Sequence, residues 1–503
     1  MDKLAAIIKP TPFKIGCVVI VASCLLLYSF GKDKPYLLAS LDNQITSAMF
    51  RWRGPQETTG KVVIVDIDEK SLKQIGQWPW PRDIVARLVR NIHASGARVI
   101  GFDVVFPEKD RTSPSEYAAD LSRLTGSDIV KEDLDRITAQ EEYNHDLVLG
   151  KAIADAPSVL GYVFQLQVDN LKADNEKPFP SATIRITPGH ITPDSLVFIT
   201  GYRAILNIPD VAQAPTEGFL NVFPDSSGMV RKVPLFMKLD GIPYPSLALE
   251  MIRTASQEQD LVIHVSSQKT SGRNAILGVN LGNTFIPTDD QGQVLVNFRG
   301  PVKTFRYIPA IDVIEGKEAA LLKDKYVFIG TSASGLLDFH ATPFSGIFPG
   351  VEIQATVIDN VLTRSLFTYD IFTEIGLTYT IIIAGGLLLS ALLAYTGALA
   401  GGIAGIMVLI SICAGNYYFF FLNNSLLGIT YPLATIITIF LVVTLFNYFF
   451  EFRKKQFIHD AFSRYVSPMV VGQLVKHPEK LALTGEEKTI TMLFSDIRNF
   501  TSI

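Results

Sequence analysis

The chain has 503 residues, 48% of them hydrophobic and 19% charged, with 45 Lys and Arg against 49 Asp and Glu. That length allows several domains, the apolar bias points to membrane spans, and a formal net charge of −4 supplies no field for a nucleic-acid partner. The three cysteines, Cys17, Cys24 and Cys413, all fall in apolar runs, so the polar part of the chain has no disulfide framework to draw on.

Ile15 to Phe30 is unbroken apolar sequence, with Lys3, Lys9 and Lys14 before it and Lys32 and Lys34 after. With Phe13 and Gly31 added, residues 13–31 just cross a hydrocarbon core of about 30 Å at about 1.5 Å per residue. A cleavable signal peptide is the rival reading. The Gly31-Lys32-Asp33-Lys34 that follows lacks a small-residue cleavage pattern, which favours an uncleaved anchor.

Leu37 to Arg53 reads as a membrane-proximal helix, stopped by Gly54-Pro55. Val62 to Asp68 reads as a strand, and the turn Gly76-Gln77-Trp78-Pro79-Trp80-Pro81-Arg82 leads into a helix with Ile84, Val85, Leu88, Val89 and Ile92 on one face. Gly96 closes that helix and Arg98 to Phe106 is the next strand, so the spacing predicts a βαβ unit with parallel strands. Pro107 to Glu142 is a polar excursion or surface helix pair, Leu147 to Ile153 a short helix, and Ser158 to Gln165 a strand. Gly218 to Arg231 has hairpin chemistry around Asp225 and Gly228. Pro245 to Ile252 is helical, Gln293 to Phe298 and Tyr326 to Gly330 are strands, and Pro349-Gly350 begins a helix returning to the membrane.

Asp66, Asp68 and Asp103 at the strand ends suit either a ligand or cation site, since parallel sheets bind there, or helix caps and turn partners. His340, two residues after Asp338, either joins such a site or is a lone surface histidine. Trp78-Pro79-Trp80-Pro81 is either a stacking platform or a rigid turn with Pro81 opening the helix. The segment 37–366 resembles the second type of CHASE sensor, an extracellular domain associated with cyclases and histidine kinases. Its carriers are Val65-Asp66-Ile67-Asp68, Trp78 to Arg82, Gly96 to Asp103, Phe328 to Ala333 and Pro349-Gly350-Val351-Glu352, in the family's order. The resemblance implies an extracytoplasmic ligand without saying which.

Three further apolar runs, residues 375–395, 398–421 and 429–450, are each long enough to span. Four spans put both termini on one side, and the lysines before the first with Arg453, Lys454 and Lys455 after the last mark that side as cytoplasmic. A multi-pass inner (plasma) membrane protein with its sensor outside is the expected localisation. Gly397, Gly401 and Gly405 form a small-residue face that serves either a dimer seam or packing against the chain's own spans. Residues 451–485 read as a cytoplasmic linker. Phe457, Ile458, Ala461, Phe462 and Tyr465 on it form an apolar stripe, suited to a parallel signalling helix pair or to lying on lipid.

Thr489 to Phe494 reads as a buried strand ending at Asp496, where a hard divalent ion and a phosphate at a helix start would meet. Phe494-Ser495-Asp496-Ile497-x-x-Phe500-Thr501, after the linker Phe462 to Val471, resembles the opening of the class III nucleotide cyclases. That resemblance implies that residues 486–503 begin an α+β, ferredoxin-like catalytic domain working as a homodimer. Asp496 would bind two Mg²⁺ or Mn²⁺ ions, the Ile497 carbonyl one of them, and Phe500 and Thr501 the triphosphate of ATP, giving cAMP. The family's remaining catalytic groups lie downstream of Ile503, so the chain is expected to be cut inside that domain and inactive as it stands. GTP in place of ATP, or a non-catalytic sensor fragment signalling by dimerisation, are the alternatives. The fold class expected is therefore a multi-domain membrane protein: an α/β extracytoplasmic sensor, four transmembrane helices and the start of a cyclase domain.

Overall fold

Val62, Val63, Ile64 and Val65 are all buried, and their side chains alternate between two cores, which requires helices on both faces of the strand they form. The computed structural model describes residues 10–30, 34–125, 136, 140–167, 177–179, 182–270, 273–333, 335, 338–368, 371–396, 398–462, 489 and 491–494. It divides into two compact units, one of Leu26–Thr380 with Ile410–Leu433, the other of Met1–Leu25, Ile381–Leu409 and Ala434–Ile503.

The first unit is built on a 7-stranded sheet. Five strands run parallel in the order Arg306–Pro309, Val62–Asp66, Tyr326–Gly330, Val99–Phe102, Ser158–Gln165. Thr216–Phe219 adds to Ser158–Gln165 in parallel and Arg203–Ile205 antiparallel. One core takes Val63, Val65, Ile100, Phe102, Val327 and Ile329 against helices Arg82–Ala94 and His145–Ala154. The other takes Val62, Ile64, Val99 and Phe328 against helices Leu247–Ser256 and Gly350–Thr363. At Gly101 a Cβ would sit 2.1 Å from the Met251 sulfur, so the Met251 side chain fills the space that any larger residue would need. A second sheet joins Thr183–Thr187, Asp260–Thr270, Arg273–Leu281 and Thr284–Pro287.

The strands at Val62 and Val99 are parallel, as the spacing predicts, but they are not neighbours: Tyr326–Gly330, more than 220 residues downstream of Val99, lies between them. The second strand ends at Phe102 rather than Phe106, and a short helix, Glu69–Ile75, follows the first. Helix Arg82–Ala94 has Pro81 as its cap residue rather than its first member. The turn at Asp225 forms, with Gly228 N–H donating to the Asp225 carbonyl at 2.9 Å, yet no hairpin results. Its arms go elsewhere, Thr216–Phe219 into the large sheet and Lys232–Pro234 antiparallel onto Gln293–Leu295.

Helix Tyr36–Arg53 ends at Gly54, whose φ of 74° suits glycine. Its Phe50 ring packs edge-on against Phe298, Phe344, Phe367 and Phe421 at centroid distances of 6.3, 6.0, 5.6 and 5.1 Å. Arg53 donates to the Asn297 side chain and the Phe298 carbonyl, both at 2.6 Å. Asn297 in turn donates to the Ser365 carbonyl at 2.8 Å and the Asn424 side chain at 2.9 Å.

Four helices are long and apolar enough to cross a membrane: Pro12–Phe30, Thr373–Tyr395, Ala400–Asn423 and Thr430–Phe450. They coincide within a few residues with the four runs read from the sequence. In the second unit, a Cβ at Gly401 would lie 2.8 Å from Leu393 and one at Gly405 3.1 Å from Phe440. That glycine face is therefore used for packing within the chain; Gly397 lies outside the described residues. The last helix continues unbroken from Thr430 to Phe462, so the linker expected from residue 451 begins as an extension of the span.

The strand expected at Thr489–Phe494 is not formed: Thr489 and Thr491 to Phe494 have no regular structure, and Leu493 and Phe494 are 91% and 90% exposed. No strand among the described residues pairs with this stretch, and an unpaired strand has no ladder to hold it.

Candidate functional site

Five separated stretches, around Asp66, Trp78, Asp103, Thr331 and Gly350, come together where the parallel strands of the large sheet end. In open parallel sheets that edge is where ligands bind, since the strand ends and the loops after them are free to be shaped. A cleft of about 400 Å³ opens there, with Trp78, Asp103, Asn221, Thr331, Asp338 and His340 on its walls among valine, leucine and isoleucine side chains.

The three sequence-predicted aspartates do not form one site. Asp66 is 2% exposed and accepts from Ser332 N–H at 2.8 Å and Ser332 Oγ at 2.5 Å, holding the turn after the neighbouring strand. Asp68 caps helix Glu69–Ile75 by accepting from Ser71 N–H at 2.8 Å. Only Asp103 lines the cleft, where it meets Asp338 and His340. Among the described residues no three His, Cys, Asp or Glu side chains are placed to hold a metal ion, so a cation site built from all three aspartates is ruled out.

His340 is no lone surface residue: its Nε2 lies 3.1 Å from Asp338 Oδ1. The Gly350 N–H donates to the Asp338 carbonyl at 3.0 Å, and a Cβ on Gly350 would collide with the Asp338 carboxylate at 2.0 Å. The sequence around Asp338 does not mark it as a site residue; its one signal is its place two residues before His340. The two tryptophans divide their roles. Trp80 is 1% exposed and donates its indole N–H to the Gly76 carbonyl at 2.9 Å, whereas Trp78 stands at the cleft wall, edge-on to it at 5.4 Å.

Burial pushes the Asp103 carboxyl well above the usual range, and the nearby Asp338 charge adds to it. Burial also raises Asp66 to about 6, against the opposing hydrogen bonds from Ser332. A carboxyl whose folded pKa lies above its unfolded value gives stability that is complete below the unfolded pKa and is lost as pH rises through the folded one. For Asp66, whose ordinary value is 3.8, that window runs from about pH 4 to about 6 and amounts to about 3 kcal/mol. Asp66→Asn keeps an acceptor for the Ser332 N–H and has no charge to bury. Thermal unfolding of the two proteins between pH 4 and 7 should therefore show the variant gaining on the wild type as pH rises; parallel curves would assign Asp66 no part in the pH response.

Asp496, Ile497, Phe500 and Thr501 lie outside the described residues, as does most of the linker 451–485 beyond Phe462.

The α/β domain with a strand-edge cleft, joined to apolar helices long enough to span, defines a membrane-associated sensor class. A profile of the CHASE2 domain matches residues 18–392, three quarters of the chain, and the protein belongs to that family. CHASE2 is an extracellular sensor domain typical of receptor-type signalling proteins. The match starts inside the first apolar helix and ends inside the second, beyond both limits of the segment 37–366. No curated protein and no solved structure matches the chain.

Proposed function

We propose that the protein is a homodimeric receptor cyclase of the inner (plasma) membrane, with its sensor outside, both termini in the cytoplasm, and ATP converted to cAMP inside. The observation that carries this reading is the pairing of a CHASE2 sensor and four apolar helices with Phe494-Ser495-Asp496-Ile497-x-x-Phe500-Thr501 after the last of them. Two Mg²⁺ or Mn²⁺ ions on Asp496, one also on the Ile497 carbonyl, would supply Lewis-acid stabilisation of the α-phosphate and a more acidic ribose 3′-hydroxyl. Asp496 would supply the ligand charge for those ions, and Phe500 and Thr501 would receive the triphosphate. The Phe50, Arg53 and Asn297 junction supports coupling, because it ties the juxtamembrane helix and the sensor to the loop at Asn424 between the last two spans.

The test uses the protein expressed from its whole reading frame in cells lacking their own cyclase. Cyclic AMP should accumulate, and Asp496→Asn should abolish it at unchanged membrane level, because the amide keeps the shape and loses the ligand charge. A reporter fused after Lys455 of the same protein should read cytoplasmic. Full activity in Asp496→Asn, or a reporter on the far side, would overturn the reading.

A further inference from the structure

One face of helix Tyr36–Arg53 is left uncovered by the described residues. Leu37, Leu41, Ala48 and Trp52 fall within an arc of about 60° at about 3.6 residues per turn, and all four are exposed, Leu37 at 74% and Trp52 at 70%. Exposed Gln44 and Arg51 border that arc on one side. The opposite side sends Met49 and Phe50 into the core. The helix has a single acid, Asp42, which is turned from the exposed face and accepts from Lys34 Nζ at 2.7 Å and the Thr430 N–H at 3.1 Å.

Contacts near both ends set the depth of this face. The Leu38 carbonyl accepts from Thr430 Oγ1 at 3.2 Å, and Thr430 is the first residue of the last apolar helix. Trp52 stacks on Tyr417 at 4.8 Å, and Tyr417 lies in the preceding apolar helix, six residues before its end at Asn423. Those six residues are about 9 Å at about 1.5 Å each. From Leu38 to Trp52 the helix therefore runs about 21 Å between the ends of two spans that residues 424–429 join, and does not rise away from them. Interfacial helices bury their apolar face about 5–10 Å into the boundary of headgroups and acyl chains, and Tyr417 holds Trp52 at that depth. Tyr418, 58% exposed, packs edge-on against Tyr417 at 5.2 Å and extends the aromatic surface along the span.

We propose that helix Tyr36–Arg53 lies in the membrane interface on the sensor side, with Leu37, Leu41, Ala48 and Trp52 against lipid and Arg51 at the headgroup phosphates. Lipid supplies the counter-charge that Arg51 lacks on its own face. A second copy does not, because this face paired with itself brings together cations and apolar groups and no acid. The proposal rests on the membrane placement in the receptor reading above and not on its cyclase chemistry.

The full chain is placed in nanodiscs of phosphatidylcholine and phosphatidylglycerol, with bromine near the carbonyl end of the acyl chains, near their middle, or absent. The share of Trp52 is the emission of the wild type less that of Trp52→Phe, since Trp78 and Trp80 are common to both. Bromine near the carbonyl end should remove most of that share, and bromine at mid-chain less of it. Leu41→Trp adds a second reporter on the same face and should be quenched likewise, so a misfolded Trp52→Phe leaves the test intact. Quenching of both reporters by acrylamide in the water and not by bromine would overturn the proposal. So would loss of bromine quenching together with a disulfide between copies through Leu41→Cys, beyond any formed by the native Cys17, Cys24 and Cys413. Ile406→Trp, at a position 60% exposed on the third span, separates this failure from that of the membrane placement. Bromine quenching there but not at Trp52 or Leu41→Trp overturns the interfacial helix alone, and no quenching at any of the three overturns the membrane placement with it.

Discussion

Asp359→Ala is expected to cost about 3–5 kcal/mol of folding stability, because it strands a buried guanidinium. Asp359 is fully buried in helix Gly350–Thr363 and faces Arg299 Nε at 2.7 Å. It also accepts from Thr59 N–H at 2.9 Å and Thr59 Oγ1 at 2.6 Å, which pins the chain entering the first strand of the sheet. Arg299 keeps hydrogen bonds to Thr363 Oγ1 and Ser365 Oγ, both at 2.7 Å, so it stays in place and keeps its charge. The loss is thus the penalty of an unpaired buried cation rather than the net worth of the pair. The double variant Asp359→Leu with Arg299→Met should recover much of it, since exchanging both ions for apolar groups removes the charge as well as the bond. Urea unfolding of the detergent-solubilised protein measures both. A loss below about 1 kcal/mol for Asp359→Ala would mean that water reaches Arg299.

Glu352→Ala should cost at least about 3 kcal/mol, for a different reason. This fully buried carboxylate in the first turn of helix Gly350–Thr363 accepts from the N–H groups of Lys303, Thr304 and Phe305 at 3.0, 2.9 and 3.4 Å. The Tyr307 hydroxyl donates to it at 2.9 Å. Lys303 sits at a φ of 65°, a left-handed conformation that side chains other than glycine rarely adopt, so the loop needs this latch to hold its shape. Removing the carboxylate leaves four donors without their acceptor, that of Phe305 buried and the others partly so. Glu352→Gln keeps an oxygen for the Thr304 and Phe305 N–H groups, and its amide can donate to the tyrosine oxygen, so it should lose less than alanine although the Lys303 N–H gives up its acceptor. Equal losses for alanine and glutamine would show that charge, and not acceptor count, holds the loop.

Glu352 also shows how far the sequence reaches. Pro349-Gly350-Val351-Glu352 stands out as a motif, and its helix starts where expected, because a proline followed by good helix-start residues acts locally. The partners of Glu352, Lys303 to Tyr307, are about fifty residues away, and no spacing rule connects them.

Local physics likewise determined the four apolar helices, the buried strands at Val62 and Tyr326, the amphipathic helix Arg82–Ala94 and the turn at Asp225, each written within one window of sequence. Tertiary structure alone decided that Tyr326–Gly330 enters between the strands at Val62 and Val99, and that the arms of the Asp225 turn part company. Strand partners are chosen by how much apolar surface the whole sheet buries, a sum over distant segments. The same holds for the cleft. Asp66, Asp68 and Asp103 look equivalent along the chain, and each is a carboxylate at or just past a strand end. Only packing gives Asp66 to Ser332, Asp68 to a helix cap and Asp103 to the open cleft beside Asp338, because burial and the donors within reach, not residue type, decide which acid is left for a ligand.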